Sequence, residues 1–199
     1  GGAPPPDRVQ EAISMPVRLA FVGVGGIARR HLAAVQASAD AEVAAVCDVD
    51  AGRAGEVGEA HGVPAFTDCR DMYDRIRPDA ALVCVPPFAH GEIEIEAAAR
   101  GIHLFVEKPV ALDMDTAARV LAAVRDAGVI TQVGYMYRLC PTVARVRELL
   151  AGRTIAMVEA HYFAGGMPAK SWWPRMDGSG GQLIEQATHM AVSYTHLTL

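Results

Sequence analysis

From Val17 onward the chain alternates short, continuously apolar runs with longer segments whose apolar positions recur at helical spacing. Val17 to Val22 reads as a first strand, followed by a glycine-rich turn and a helix through about Ala39. Val43 to Cys47 is a second strand, 51–61 a helix, and 64–66 a short third strand. Asp68 to Ile76 is helical up to the break at Arg77-Pro78-Asp79, which leads into a fourth strand at 80–85. A helix over 92–100 stops at Gly101, and a fifth strand covers His103 to Val106. Asp113 is placed to cap a helix that Gly128 ends, with Ala118, Leu121, Ala122 and Val124 on one face, before a last strand at 129–133.

Strands that are apolar throughout, rather than on alternate residues, belong to a parallel sheet covered on both faces. Six of them in strand–helix rhythm predict an α/β fold with a doubly wound parallel Rossmann sheet. The rhythm changes near 134–141. A helix over 142–151 and an alternating stretch from Ile155 to Phe163 then predict the first strand of a different sheet. The expected organisation is a disordered leader over 1–14 (or translated upstream sequence, with Met15 as the start), a dinucleotide-binding domain over 15–137, and part of a second domain over 138–191.

Composition narrows the class. Of 199 residues 51% are hydrophobic and 21% charged, which suits a globular protein with a real core. A net charge of −5 with no Lys/Arg run argues against nucleic acid or an anionic membrane as partner. No stretch reaches the roughly 18 apolar residues that a membrane helix needs. Cys47, Cys69, Cys84 and Cys140 never form a C-x-x-C pair, so reduced thiols, a cytoplasmic setting and no metal ligand set are expected.

The candidate chemistry starts at Gly23-Val24-Gly25-Gly26-Ile27-Ala28, a G-x-G-x-x-A turn between the first strand and its helix. Gly23 would make the tight turn, Gly25 would let a pyrophosphate approach the backbone, and Ala28 would pack the helix against the sheet. The phosphates would meet free N–H groups and the positive end of the helix dipole. Asp48, 20 residues past Ala28, can accept the adenosine ribose hydroxyls and favours NAD over NADP, unless it merely caps the next helix as Asp50 could. Arg53 lies close enough in sequence to approach a 2′-phosphate, which keeps NADP open as the alternative cofactor.

Gly23-x-Gly25-x-x-Ala28-x-x-His31, Asp48, Val85-Pro86-x-x-x-His90 and Glu107-Lys108-Pro109 together resemble the glucose–fructose oxidoreductase/inositol dehydrogenase/rhizopine catabolism (Gfo/Idh/MocA) family over about 17–191. The resemblance implies an α+β C-terminal domain built on an open antiparallel sheet, of which only the beginning is present. That sheet would carry part of the substrate site and a homo-oligomer interface. The implied activity is NAD(P)-dependent hydride transfer at a secondary hydroxyl of a sugar or cyclitol, with the dinucleotide binding first. Lys108 would steady the reacting oxygen. His189 would take the hydroxyl proton, and Glu185, four residues earlier on the same helical face, would orient its imidazole. Glu185 and Ala187 stand where the family pattern has Asp and Gly, and Met136 where it has Asn.

Pro86, His90 and Glu107 are candidate cofactor contacts, with His90 implied near the nicotinamide unless it caps its helix; Arg138 and Trp173 are candidates for substrate contact, and His31 is expected only to pack its helix. Two other readings stand beside this one: an NAD-dependent glycosidase of related fold, and a non-catalytic dinucleotide sensor. A sensor has no need of Lys108, Glu185 and His189 together.

Residues 192–199 match a translation of GTC TCT TAT ACA CAT CTG ACG CTG, a string that resembles a transposase adaptor used in sequencing libraries. The natural coding sequence is therefore expected to have been cut near Ala191 or Val192, with a non-native tail after it. Sequencing the gene from intact DNA should show a different continuation; the same eight residues in the genome would contradict the expectation.

Overall fold

A computed structural model describes residues 15–163, 165–166 and 169–198. The leader expected over 1–14 lies outside the described residues. Six strands, β1 (Val17–Val22), β2 (Ala41–Cys47), β3 (Ala65–Phe66), β4 (Ala80–Val83), β5 (His103–Val106) and β6 (Thr131–Val133), form one sheet in the order β3-β2-β1-β4-β5-β6. Every neighbouring pair is parallel. The chain winds outward from β1 to β3, crosses back to β4 beside β1, and winds outward again to β6. The doubly wound sheet is as the apolar runs predict.

Side chains alternate across a strand, so each strand feeds both faces of the sheet. Ala20, Val22, Ala45, Cys47, Ala81, Val83, Leu104 and Val106 point to one face. There they pack against Met72 and Tyr73 of α3 (Cys69–Ile76) and Ala97 of α4 (Glu92–Ala99), with Val124 of α5 (Met114–Ala127) at the margin. Phe21, Val46 and Leu82 point to the other, against Ala28 and Leu32 of α1 (Gly26–Gln36) and Val57 of α2 (Ala51–His61). Both layers are closed, which is why the strands carry no polar face.

The caps follow the sequence. Asp113 accepts a hydrogen bond from the Thr116 N–H at 2.7 Å, and Gly128 closes α5 at φ 65°. Asp50 accepts from the Arg53 N–H at the start of α2. Cys47 and Cys84 are buried in the sheet, and burial pushes both thiols up to about 12. All four cysteines are free.

Two expectations fail. The first helix ends at Gln36 rather than Ala39. The stretch 155–163, expected to be a strand, has no ladder partner among the described residues and runs as irregular chain after α6 (Pro141–Leu150). Its alternating pattern is that of a strand, but a strand exists only where a neighbour satisfies its N–H and C=O groups. Beyond it lie a short α7 (Met176–Ser179), a π-helical turn at Leu183–Ala187, and α8 (Thr188–Thr198), which runs on through 192–198. No helix among the described residues is long and apolar enough to cross a membrane.

Tyr73 is 1% exposed and its hydroxyl is buried with no hydrogen-bond partner among the described residues. Burying such a group costs about 1–3 kcal/mol. Tyr73→Phe should therefore raise the denaturant midpoint of the chain with an unchanged m-value; a clear loss of stability would contradict the assignment.

Candidate functional site

The glycine turn leaves the carboxyl end of β1 and enters α1. Gly23 holds φ +80°, and a Cβ there would lie 2.7 Å from the Cys84 carbonyl oxygen, so the turn is pressed against the end of β4. Gly25 and Gly26 are the opposite case: a Cβ on either would meet nothing within 4 Å, leaving open space above the start of α1. The α1 N-terminus has no side-chain cap and no acid in its first turn. Open backbone, uncapped N–H groups and the dipole end together fit a pyrophosphate. Ala28 is fully buried against the sheet and Ile27 is half-exposed at the rim.

Asp48 follows β2 and is 6% exposed. Its carboxylate accepts the Val24 N–H of the glycine turn at 3.0 Å and the Asp50 N–H at 3.0 Å, and Arg53 Nη1 reaches both oxygens, at 3.0 and 3.1 Å. Asp50 is the helix cap, so Asp48 is free of that role. Arg53 also reaches Asp50 Oδ2 at 3.1 Å.

The loop after β4 carries Pro86 at the head of a single 3-10 turn, Pro87–Ala89, and then His90. The His90 ring is fully buried: Nδ1 lies 2.6 Å from Glu94 Oε1, and Nε2 has no partner among the described residues. Glu94 also accepts the Gly91 N–H at 2.7 Å.

Glu107 closes β5 and joins three elements. Its Oε1 lies 2.7 Å from His31 Nε2 on α1, its Oε2 accepts the Lys108 N–H at 3.2 Å, and Gly134 lies flush on it, where a Cβ would sit 3.1 Å from the carboxylate. The His31 ring rests edge-on against Phe105 at 5.2 Å. Burial works to raise the Glu107 carboxyl, but the His31 bond and charge and the Lys108 N–H outweigh it and hold it below the usual carboxylate range. His31 is thus more than packing. It lies three residues past the buried Ala28, on the sheet-facing side of α1, which is the signal in the sequence that points to it.

The Lys108–Pro109 peptide is cis. Lys108 Nζ donates to the Glu185 carboxylate and to the Glu185 backbone carbonyl, 77 residues away along the chain. Both side chains are largely buried, at 14% and 8% exposure. His189, on α8, is 4% exposed, with the Tyr135 and Tyr137 rings at 5.8 and 4.7 Å and a buried Nδ1 that has no partner among the described residues. Burial first, then the charge of Lys108, holds the imidazole below its ordinary value, with Glu107 pulling the other way. Tyr135 Oη bonds Thr188 Oγ1 at 3.2 Å, and burial together with a bond to Tyr137 pushes the Tyr162 phenol up.

Lys108, Glu185 and His189 therefore converge, but Glu185 holds Lys108 rather than the imidazole it was expected to orient. Glu185 lies within the π-helical turn at Leu183–Ala187, and its carboxylate is taken by the Lys108 ammonium. The sequence assigns no site role to Tyr135, Tyr137 or Tyr162; aromatic residues in these loops do not by themselves say what they pack against. The described contacts of the two substrate candidates lie elsewhere. Arg138 Nη1 is 3.4 Å from His196 Nε2, and Trp173 packs on Trp172 at 5.3 Å with Lys170 above both rings.

Comparison with known proteins agrees with this geometry. Residues 17–135 match the family model described as an oxidoreductase family with an NAD-binding Rossmann fold, GFO_IDH_MocA. The chain is 29% identical over 182 residues to a scyllo-inositol 2-dehydrogenase (NAD(+)) of Bacillus subtilis, covering 87% of this chain and 51% of that protein. It is 34% identical over 140 residues to D-xylose 1-dehydrogenase (NADP(+)) 2 of Haloferax volcanii, covering 69% and 43%. Among solved structures, the WlbA dehydrogenase of Bordetella pertussis in complex with NADH and UDP-GlcNAcA matches with a TM-score of 0.66 and 28% identity, covering 68% of this chain and 42% of that one. The chain spans about half the length of the curated relatives it matches. With the family match covering more than half of its residues, and with the glycine turn, Asp48 and Lys108 gathered at the carboxyl end of one doubly wound sheet, the chain belongs to the NAD-binding Gfo/Idh/MocA oxidoreductases.

Proposed function

We propose that the full-length protein is a dehydrogenase that moves a hydride between NAD and a secondary hydroxyl or carbonyl of a sugar or cyclitol, with NADP as a second dinucleotide. The observation that carries this reading is the meeting of Lys108, Glu185 and His189, drawn from distant segments, at the carboxyl end of the strand next to the dinucleotide crevice. The relatives support the substrate class: one is named for scyllo-inositol and NAD(+), another for D-xylose and NADP(+).

The Gly23–Ala28 turn and the α1 N-terminus would hold the pyrophosphate, and Asp48 would face the adenosine ribose. When bound, the dinucleotide supplies the hydride acceptor or donor. The remaining work falls to the protein. Oxidising an alcohol requires removal of the hydroxyl proton, and His189 is suited to take it: burial and the Lys108 charge keep its imidazole neutral at neutral pH. An ammonium has three N–H donors. Lys108 directs two at Glu185, and the third is available to the substrate oxygen, where it stabilises alkoxide character as charge develops. Glu185 is a positioning residue that fixes where that donor points.

In the full-length protein, Lys108→Ala should lower turnover by about 10²–10³-fold, the scale of losing one aimed donor to a developing oxyanion, with NADH affinity kept. Unchanged turnover contradicts the assignment of Lys108. The second expectation concerns pH. A base whose conjugate acid is held below its ordinary value is in its active, neutral form down to a lower pH. The ascending limb of kcat/KM should therefore lie below the ordinary histidine value of about 6.5. A limb above that value in the full-length protein contradicts the role of His189.

A further inference from the structure

Outside the Lys108–Glu185–His189 cluster, the side chains of Lys170, Trp172 and Trp173 meet one another. The two indoles are half-buried, with centroids 5.3 Å apart and planes tilted by 41°, so neither ring covers the other face to face. Lys170 is exposed, and its ammonium stands 5.1 and 5.7 Å from the two ring centroids. No carboxylate pairs with it among the described residues, and an exposed cation–π contact is a weak hold. Backbone bonds fix the turn that carries the rings. The Trp173 N–H donates to the Lys170 carbonyl at 3.1 Å, and the Arg175 N–H to the Trp172 carbonyl at 3.2 Å. Gly178 lies flush on that second carbonyl, where a Cβ would stand 2.5 Å from the oxygen. Gly178 belongs to α7, which packs on the 3-10 turn Pro87–Ala89 after β4, at the carboxyl end of the sheet. The three side chains therefore stand beside the crevice, on a turn fixed to its lip.

From this we infer that Lys170, Trp172 and Trp173 form a platform for the nucleoside diphosphate portion of a nucleotide sugar, whose sugar ring reaches toward the Lys108 cluster. This rests on the sugar dehydrogenase reading of the site. A free sugar or cyclitol is neutral and offers an indole only its C–H surface, which gives the ammonium nothing to bind. A nucleobase is flat, and every base has a π-face that stacks on an aromatic side chain. A diphosphate supplies the negative charge that Lys170 lacks, and the ammonium meets it as a point charge with three donors. The long, exposed lysine side chain leaves the ring faces as the base arrives and turns to the phosphates. The indoles thus select an aromatic ring, and Lys170 selects an anionic ligand. The platform is separate from the Gly23–Ala28 turn, so it takes a second nucleotide rather than the dinucleotide.

Trp172 and Trp173 are the chain's two tryptophans, so indole fluorescence reports on the platform itself. The test is titration of this chain with UDP, uridine and scyllo-inositol, excited at the red edge of indole absorption where none of the three absorbs. The expected result is saturable quenching by UDP, binding of uridine weaker by about tenfold or more, and no change with scyllo-inositol. Lys170→Ala, a substitution at an exposed position, should bring UDP to the level of uridine and leave uridine as it was, and Lys170→Arg should restore the difference. UDP that binds no better than uridine, or that binds Lys170→Ala as it binds the unsubstituted chain, overturns the inference. Calorimetry with NADH on the same sample separates the two readings. A chain that binds NADH while UDP leaves its fluorescence unchanged overturns the platform and leaves the dehydrogenase reading in place. A folded chain that binds neither overturns both.

Discussion

β1 and β4 lie side by side, yet the chain leaves their carboxyl ends toward opposite edges of the sheet. The two connections diverge, and no loop can cover the gap between them; this is where open α/β sheets bind their ligands. The glycine turn, Asp48 and the Lys108 segment are placed by that constraint. The glycine turn occupies one lip of the gap and presses against Cys84 on the other. Asp48 reaches in from the neighbouring β2, and Lys108 from β5. A sheet wound in one direction only would carry the same motifs without bringing them together.

The second dependence is electrostatic. A buried ammonium and a buried carboxylate each lose hydration, and removal of one partner leaves the other uncompensated. Lys108 and Glu185 answer each other, and the backbone carbonyl of Glu185 completes the arrangement. The described contacts of that carboxylate do not include His189, whose imidazole lies among aromatic rings instead. Glu107 does for the strand end what Glu185 does for the lysine head. It ties β5 to α1 through His31 and receives the Lys108 N–H, so the backbone and the side chain of Lys108 are fixed by two different acids.

Much of this was legible in the residues because it rests on local rules. Apolar runs such as 80–83 and 103–106 announce buried parallel strands, and Asp113 and Gly128 bracket their helix by capping chemistry alone. The glycine turn and Asp48 are readable because their spacing is set by one strand, one helix and one more strand. What escaped depends on pairings across the chain. His31 and Glu107 are 76 residues apart, and nothing local to either says that they meet. Helical spacing points Glu185 toward His189, but its carboxylate meets a lysine 77 residues away. The alternation at 155–163 is a real strand pattern, but register and existence depend on a partner strand that a local reading cannot supply. Arg53 was legible as a nearby cation, and only the geometry shows that it occupies the acceptor positions of Asp48.

The central claim is that the glycine turn and the Lys108 segment are two sides of one dinucleotide crevice. Amide hydrogen exchange of this chain with and without saturating NADH tests it most directly. The account predicts slowed exchange at 23–30 and at 106–110 together, because a single ligand would lie against both. Slowing at 23–30 with 106–110 unaffected, or no slowing at either, would contradict it.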